Sequence, residues 1–262
     1  MAAKITGKRR PRRFIITAGP TREYLDPVRF LSNPSTGKMG FAIAAEAARR
    51  GHDVTLIAGP VALKTPKGAH RVDVTSAREM LKAVEAAVAD GRKLLLRSLR
   101  TNTCASFART SASSAVAASD SSIVVLSTAA VADWRPAKCA AKKLKKSEMS
   151  GTLKLVRNPD ILKTIARQVG GRRSRSTADG GCPVRLVGFA AETNDVLKEA
   201  ARKCREKGLS FIVANDVTQR GCGFGTDTNR VTFVFPDGTQ KKFPLMAKRV
   251  VAKRILDEVS GL

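Results

Sequence analysis

At 262 residues, with 43% hydrophobic residues and 5% aromatics, the chain is long enough for one large α/β domain or two small ones, with a core resting on Ala, Val, Ile and Leu. No run of about 18 apolar residues appears, so no helical membrane span is expected, and the basic lead-in Met1 to Arg13 lacks an apolar stretch before a cleavage site, so it does not read as a secretory signal. The net charge of +26 attracts anions, yet the Lys and Arg are spread along the chain with few aromatics between them, so a solvated basic surface accounts for it better than a nucleic-acid interface does.

Residues 1–12 read as a disordered basic lead-in to a single domain over 13–262. Phe14 to Ala18 (FIITA) is a short apolar run closed by Gly19-Pro20, hence a buried strand and a turn. Lys38 to Arg50 is Ala-rich and stops at Gly51, the pattern of a helix with a glycine stop. Asp53 to Ala58 and Val72 to Val74 predict strands. Ser76 to Asp90 predicts a helix that starts on a capping box, Ser76 with Glu79. Gly91 to Ala118 fits no element and reads as a surface insertion or disordered loop, because so long a structureless stretch is uncommon inside a compact domain. Ser122 to Ser127 resumes as a strand leading into Thr128 to Trp134. A Lys-rich loop from Lys138 to Lys146 follows, then a strand from Leu153 reaching Asn158-Pro159-Asp160, a helix from Ile161 to Gln168 and a flexible loop over 170–183. Arg185 to Phe189 predicts a strand, Asn194 to Lys207 a helix, and Phe211 to Ala214 a strand. Arg230 to Phe235 and Gln240 to Phe243 form a hairpin across Pro236-Asp237-Gly238. Ala247 to Val259 is the closing helix.

Strands alternating with helices predict a Rossmann-like α/β fold, a mainly parallel sheet with helices on both faces, plus the C-terminal hairpin. Ligands of such sheets sit at the carboxyl ends of the strands. Gly19, Asn33, Asp133, Phe189 to Glu192 and Asn215-Asp216 fall there. The five cysteines are odd in number and form no C-x-x-C pair, so a disulfide framework or zinc site is not expected and a reducing cytoplasm is the natural setting. Two histidines, His52 and His70, leave little for a His-based triad. Ser35 to Gly40 (STGKMG) opens a helix, where backbone N–H groups bind anions and glycines permit close approach. A Walker loop requires G-x-x-x-x-G-K-S/T; Ser32 and Met39 break that pattern. Ala58-Gly59 stands where a dinucleotide site places its acidic residue, which disfavours a reductase. Arg22 and Arg29 are the nearby guanidinium groups suited to phosphate or carboxylate.

The segment TAGPTREYLDPVRFLSNPSTGKMGFAIAAEAARRGHDVTLIAGPV, then AAVADWRP, KKLKK, RNPDIL, VGFAAETND, ANDV and GFGTDTNRVTF, resembles the phosphopantothenate–cysteine ligase family in the same order from about Phe14 to Val259. The resemblance implies amide ligation in coenzyme A biosynthesis. The carboxylate of 4′-phosphopantothenate attacks the α-phosphate of CTP (or ATP), and L-cysteine then displaces the nucleotide monophosphate. It assigns Lys143 to the first step and Asn33 to the acyl intermediate. Nucleotide contacts fall to Gly19, Ala129, Asp133, Lys143, Asn158, Pro159, Asp160, Ile161, Phe189, Lys203 and Lys207. Substrate contacts fall to Arg29, Ser35, Gly37, Lys38, Ala191 and Asn215. Ala129 and Ala130 are expected to bring backbone groups close to the base, and Trp134 to pack. The resemblance also implies Mg²⁺ with the triphosphate and a homodimer, for which the hairpin around Asp237-Gly238 is a candidate contact. Relatives often carry a flavin-dependent decarboxylase domain before this one. With the first strand so near the chain's start, the expectation is the ligase step alone, without FMN, with any decarboxylase a separate partner. Lys142 stands beside Lys143 where the family commonly has an acidic or small residue.

Overall fold

The computed structural model describes residues 11–104, 122–148, 151–170, 184–192 and 195–262. In chain order the strands are β1 (Arg13–Ala18), β2 (Arg22–Tyr24), β3 (Phe30–Ser32), β4 (Asp53–Ala58), β5 (Ala69–Asp73), β6 (Ile123–Ser127), β7 (Trp134–Pro136), β8 (Leu155–Arg157), β9 (Val184–Glu192), β10 (Phe211–Asp216), β11 (Thr228–Asn229), β12 (Val231–Val234), β13 (Gln240–Lys242) and β14 (Met246–Ala247). The helices are α1 (Lys38–Arg49), α2 (Ala77–Cys104), α3 (Ile161–Gly170), α4 (Val196–Glu206) and α5 (Lys248–Gly261).

Eight strands form one sheet in the order β13-β12-β10-β9-β6-β1-β4-β5. It is parallel from β5 to β10 and turns antiparallel at β12 and β13. Strand alternation builds a core on each face. Phe14, Ile16 and Ala18 of β1 join Val124 and Leu126 of β6 against α1 and α5. Ile15, Ile123 and Val125 point the other way, onto Met80 and Val84 of α2, Ile165 of α3 and Cys204 of α4. Covered on both faces, these strands read as continuous apolar runs. The doubly covered α/β sheet and its C-terminal hairpin are as the sequence predicts. The exposed edge strand β13 is Gln240-Lys241-Lys242, and such charge blunts edge-to-edge pairing.

Several boundaries differ. The helix expected to stop at Asp90 continues to Cys104, so the front of the expected insertion is helical, while 105–118 lie outside the described residues. Gly91 is no stop. A Cβ there would meet Ile123 Cδ1 at 2.8 Å and Arg13 Cδ at 3.1 Å, so the missing side chain lets α2 lie close to the sheet. Arg12, assigned to the lead-in, is buried and donates to the Val259 carbonyl. The expected strand at Val72 to Val74 is β5, which starts three residues and ends one residue earlier, and the strand expected from Leu153 up to Asn158 is β8, confined to Leu155–Arg157. β2 and β3 pair as a hairpin around Leu25 to Arg29, and β7 pairs with β8; neither was predicted. The expected loop at 171–183 lies outside the described residues.

Candidate functional site

The carboxyl end of β1 turns sharply because Gly19 adopts φ +77°. Gly37, at φ +78°, ends the approach to α1 and lies against it: a Cβ on Gly37 would stand 3.3 Å from the Gly19 nitrogen. Both are left-handed conformations that glycine adopts without strain. Gly37 caps α1 without a side-chain hydrogen bond to the first turn. The end of a helix three turns long therefore faces the sheet with N–H groups that a ligand anion can satisfy. Gly40, one turn in, serves packing: its Cβ would meet Thr128 Oγ1 at 2.5 Å and Ala18 Cβ at 2.6 Å.

In front of this helix start lies a cleft of about 580 Å³. Five of the six residues assigned to substrate line it, namely Ser35, Gly37, Lys38, Ala191 and Asn215, together with Phe189 from the nucleotide set. Asn215 is tethered by its amide Nδ2, which donates to the Cys222 carbonyl at 3.0 Å. Its Oδ1 is buried with no hydrogen-bond partner among the described residues, an acceptor that a donor on a ligand would satisfy. Lys38 ties α1 to the opposite wall, donating to Gly225 O at 2.7 Å and to Asp227 Oδ1 at 2.7 Å. That wall, Gly223 to Gly225 with Asn229 and Lys248, received no role from sequence. The ammonium of Lys248 is pushed below its ordinary range by burial and by the neighbouring charge of Lys38, with Asp227 opposing. A ligand anion here would relieve the repulsion between the two lysines.

A second group of assigned residues lies at the end of β6 and the start of α3. Asn33, just after β3, donates from Nδ2 to the carbonyls of Ala130 and Val131, each at 3.2 Å. Asn158 donates to Ala132 O at 2.8 Å, and its backbone N–H to Asp133 O at 2.8 Å. Asp133 is exposed. Pro159, Asp160 and Ile161 lead into α3, and Asp160 pairs with Lys207 of α4 at 2.8 Å. Burial alone would raise the Asp160 carboxyl, but hydrogen bonds from Lys207 and from the Lys163 backbone, with their charges, bring it below its ordinary value. Lys203 stands one turn before Lys207 on the same helix. The N–H groups of Ala129 and Ala130 point inward, to Thr17 Oγ1 at 3.2 Å and to Gly19 O at 2.9 Å. Both N–H groups are therefore already engaged within the chain.

Lys143 lies on an exposed loop outside the cleft lining. Arg29 is also absent from the lining. Its guanidinium is held by Asp26 and donates to Leu144 O at 3.0 Å, so here it fastens that loop. Trp134 is exposed beneath the Arg157 guanidinium, 5.2 Å from its ring centroid, rather than packed inside.

Comparison with known proteins bears on the family and the fold. The family model described as "DNA/pantothenate metabolism flavoprotein C-terminal domain" matches residues 10–96 and 100–262. The chain is 41% identical over 249 residues to the Coenzyme A biosynthesis bifunctional protein CoaBC of Bacillus subtilis (strain 168), covering 95% of this chain and 51% of that protein. Against the protein of the same name from Escherichia coli (strain K12) it is 42% identical over 248 residues, covering 94% and 50%. The chain thus spans about half the length of these curated relatives. Among solved structures, the C-terminal domain of CoaBC superposes with a TM-score of 0.64 at 34% identity, covering 96% of this chain and 95% of that one. The structure of a DNA/pantothenate metabolism flavoprotein from Streptococcus pneumoniae shares the fold, with a TM-score of 0.63 at 19% identity, covering 95% and 98%. This chain belongs to the DNA/pantothenate metabolism flavoprotein C-terminal domain family, the family of the C-terminal domain of CoaBC.

Proposed function

We propose that the chain is a phosphopantothenate–cysteine ligase that activates 4′-phosphopantothenate with CTP. The observation that carries this reading is the single cleft that gathers Ser35, Gly37, Lys38, Ala191 and Asn215 at the start of α1. A phosphorylated acid suits it: the helix start and the Lys38–Lys248 pair favour the phosphate, and the buried Asn215 Oδ1 accepts from an amide or hydroxyl. The second group, Asp133 with Asn158 to Ile161 and Lys207, takes the nucleotide. The substrate carboxylate attacks the α-phosphorus, an acyl–O–P bond forms, and the bond to the β-phosphate breaks with release of pyrophosphate. Lys143 stabilises charge on the transferring group. The cysteine amine then attacks the acyl carbon and nucleotide monophosphate leaves, with Asn33 positioning the acyl group. Mg²⁺ arrives with the triphosphate as part of the substrate; among the described residues no cluster of three or more His, Cys, Asp or Glu side chains stands ready to hold it.

The experiment is a pyrophosphate-release assay with phosphopantothenate and either CTP or ATP, followed by addition of cysteine. Release with CTP, and product only after cysteine, is the expected result; no release with either nucleotide refutes the reading. Lys143→Ala abolishes release. Asn33→Ala releases pyrophosphate and accumulates an acyl-nucleotidylate visible by mass spectrometry; no such intermediate overturns the division of roles between these residues. We further infer a homodimer. Its support lies away from the Asp237-Gly238 hairpin, whose edge is polar. Val28, Phe30, Leu31, Trp134, Leu153 and Leu155 are exposed on or beside the neighbouring β2–β3 and β7–β8 hairpins, a concentration of apolar side chains suited to a partner copy. No described helix is long and apolar enough to cross a membrane.

A further inference from the structure

The Leu25 to Arg29 turn of the β2–β3 hairpin is built on one carboxylate. Asp26 is fully buried. Its Oδ1 accepts from the backbone N–H groups of Val28 at 2.9 Å and Arg29 at 2.8 Å, which closes the turn on itself. Its Oδ2 accepts from Arg29 Nε at 3.0 Å and, across 118 residues of sequence, from the backbone N–H of Leu144 at 3.2 Å. The same Arg29 donates to the Leu144 carbonyl at 3.0 Å. The peptide groups on either side of Leu144 are therefore both engaged, and Leu144 directly follows Lys143. On the other side of Lys143, Ala140 N–H donates to Leu25 O at 2.9 Å. The Arg29 hydrogen bond, opposed by burial and reinforced by the three backbone donors, holds the Asp26 carboxyl far below the ordinary carboxylate range, so it is ionised at any working pH.

The Lys-rich loop carries Lys142, Lys143, Lys145 and Lys146 within five residues. Such a run repels itself and has no apolar anchor but Leu144, so it would not hold one position unaided. The hairpin that grips it ends one residue before Asn33, which is fixed to Ala130 and Val131. One rigid hairpin thus sets both the lysine loop and the asparagine.

We propose that Asp26 is a positioning residue for Lys143: with Arg29 it clamps the Leu144 peptide and fixes the lysine loop relative to the hairpin that ends at Asn33. This rests on the ligase reading for its kinetic consequence, but the clamp can be read without activity. The test uses the full chain and the variants Asp26→Asn and Leu144→Pro, the second removing the donated N–H together with the leucine side chain. Hydrogen exchange on peptides spanning 138–146 should be at least tenfold faster in Asp26→Asn, with far-UV circular dichroism unchanged. If Asp26→Asn fails to fold, Leu144→Pro carries the same expectation. Unchanged exchange in a folded variant overturns the clamp whether or not the wild-type chain turns over. For the positioning role, Asp26→Asn should lower the kcat of pyrophosphate release about tenfold or more and leave KM for phosphopantothenate within twofold. A loosened loop with full release, or a loss carried by KM instead of kcat, overturns the positioning role. Absence of release by wild type refutes the ligase reading instead, while the exchange result still decides the clamp.

Discussion

Gly40→Ala is the sharpest probe of how the helix start is held against the sheet. A methyl group at this position would stand 2.6 Å from Ala18 Cβ and 2.5 Å from Thr128 Oγ1. Carbon atoms in ordinary contact lie about 3.5–4.0 Å apart, so the overlap with Ala18 is about 1 Å. Ala18 is fully buried in β1 and has no rotamer with which to move aside. Thr128 is held by its hydroxyl donating to the Thr17 carbonyl. Overpacking of this kind costs about 1–3 kcal/mol, and the better helix propensity of Ala returns about 0.8–1 kcal/mol. The net loss is about 0–2 kcal/mol, which for a chain of this size lowers Tm by up to about 8 °C. The overlap is relieved only by lifting the first turn of α1, which carries the N–H groups of the cleft with it, so KM for phosphopantothenate rises as stability falls. Gly170→Ala is the control, because nothing lies within 4 Å of a Cβ there. Thermal unfolding followed by circular dichroism, with steady-state kinetics on the same samples, reads both effects. A Gly40→Ala chain as stable as wild type, with unchanged KM, would show that α1 is not wedged on Gly40.

Two further perturbations test other parts of the structure. Glu46 of α1 is held by hydrogen bonds from Arg49 and, against opposing burial, Arg50, which lower its carboxyl from an ordinary 4.5 to about 2; a carboxylate depressed on folding stabilises above its unfolded value and loses that contribution as pH falls through its folded value, so Glu46→Gln should be less stable than wild type at pH 6, and the gap in Tm should close between pH 4.5 and about 2. A gap independent of pH would mean that the charge of Glu46 is not what the arginines hold. Phe30→Asp, on the exposed apolar hairpin face, should convert the chain to a monomer in sedimentation velocity without loss of its circular dichroism spectrum; a dimer that persists places the contact elsewhere.

The sheet was legible because its strands are covered on both faces. Phe14 to Ala18 and Ser122 to Ser127 are apolar at nearly every position, and turn residues bound them. The long α2 was cut short for a physical reason. Gly91 reads as a stop when judged locally, but its bare Cα is what lets the helix pass close to Ile123, a contact between segments over thirty residues apart. The β2–β3 hairpin was invisible because each strand is three residues long, too short for period-two alternation to register, and its turn is specified by the buried side chain of Asp26 rather than by glycine.

Five of the six substrate-assigned residues line one cleft, but sequence did not reveal which of the assigned charges are already engaged. Lys38 with Asp227, Lys207 with Asp160, and Arg29 with Asp26 are three cations assigned to ligand contacts that already hold carboxylates. These pairs do not have equal standing. Asp227 and Asp160 are exposed enough for water to screen them, and exposed pairs are worth about 0–1 kcal/mol, so a phosphate can displace either carboxylate at little cost. Asp26 is fully enclosed, and taking Arg29 away would leave a buried carboxylate short of its cation, which is strongly disfavoured. On the proposed ligase reading, Lys38 and Lys207 are contacts that an incoming phosphate would exchange, whereas the side of Arg29 that faces Asp26 would stay closed. The same contrast explains why Lys143 is the assigned cation that needs a clamp. Lys38 opens α1, and Lys207 caps α4 with its N–H bonded to Lys203 O, so both backbones are fixed. Lys143 has only a loop, and that loop is fixed by two long-range anchors, Ala140 to Leu25 and Leu144 to Asp26, which no local sequence pattern announces.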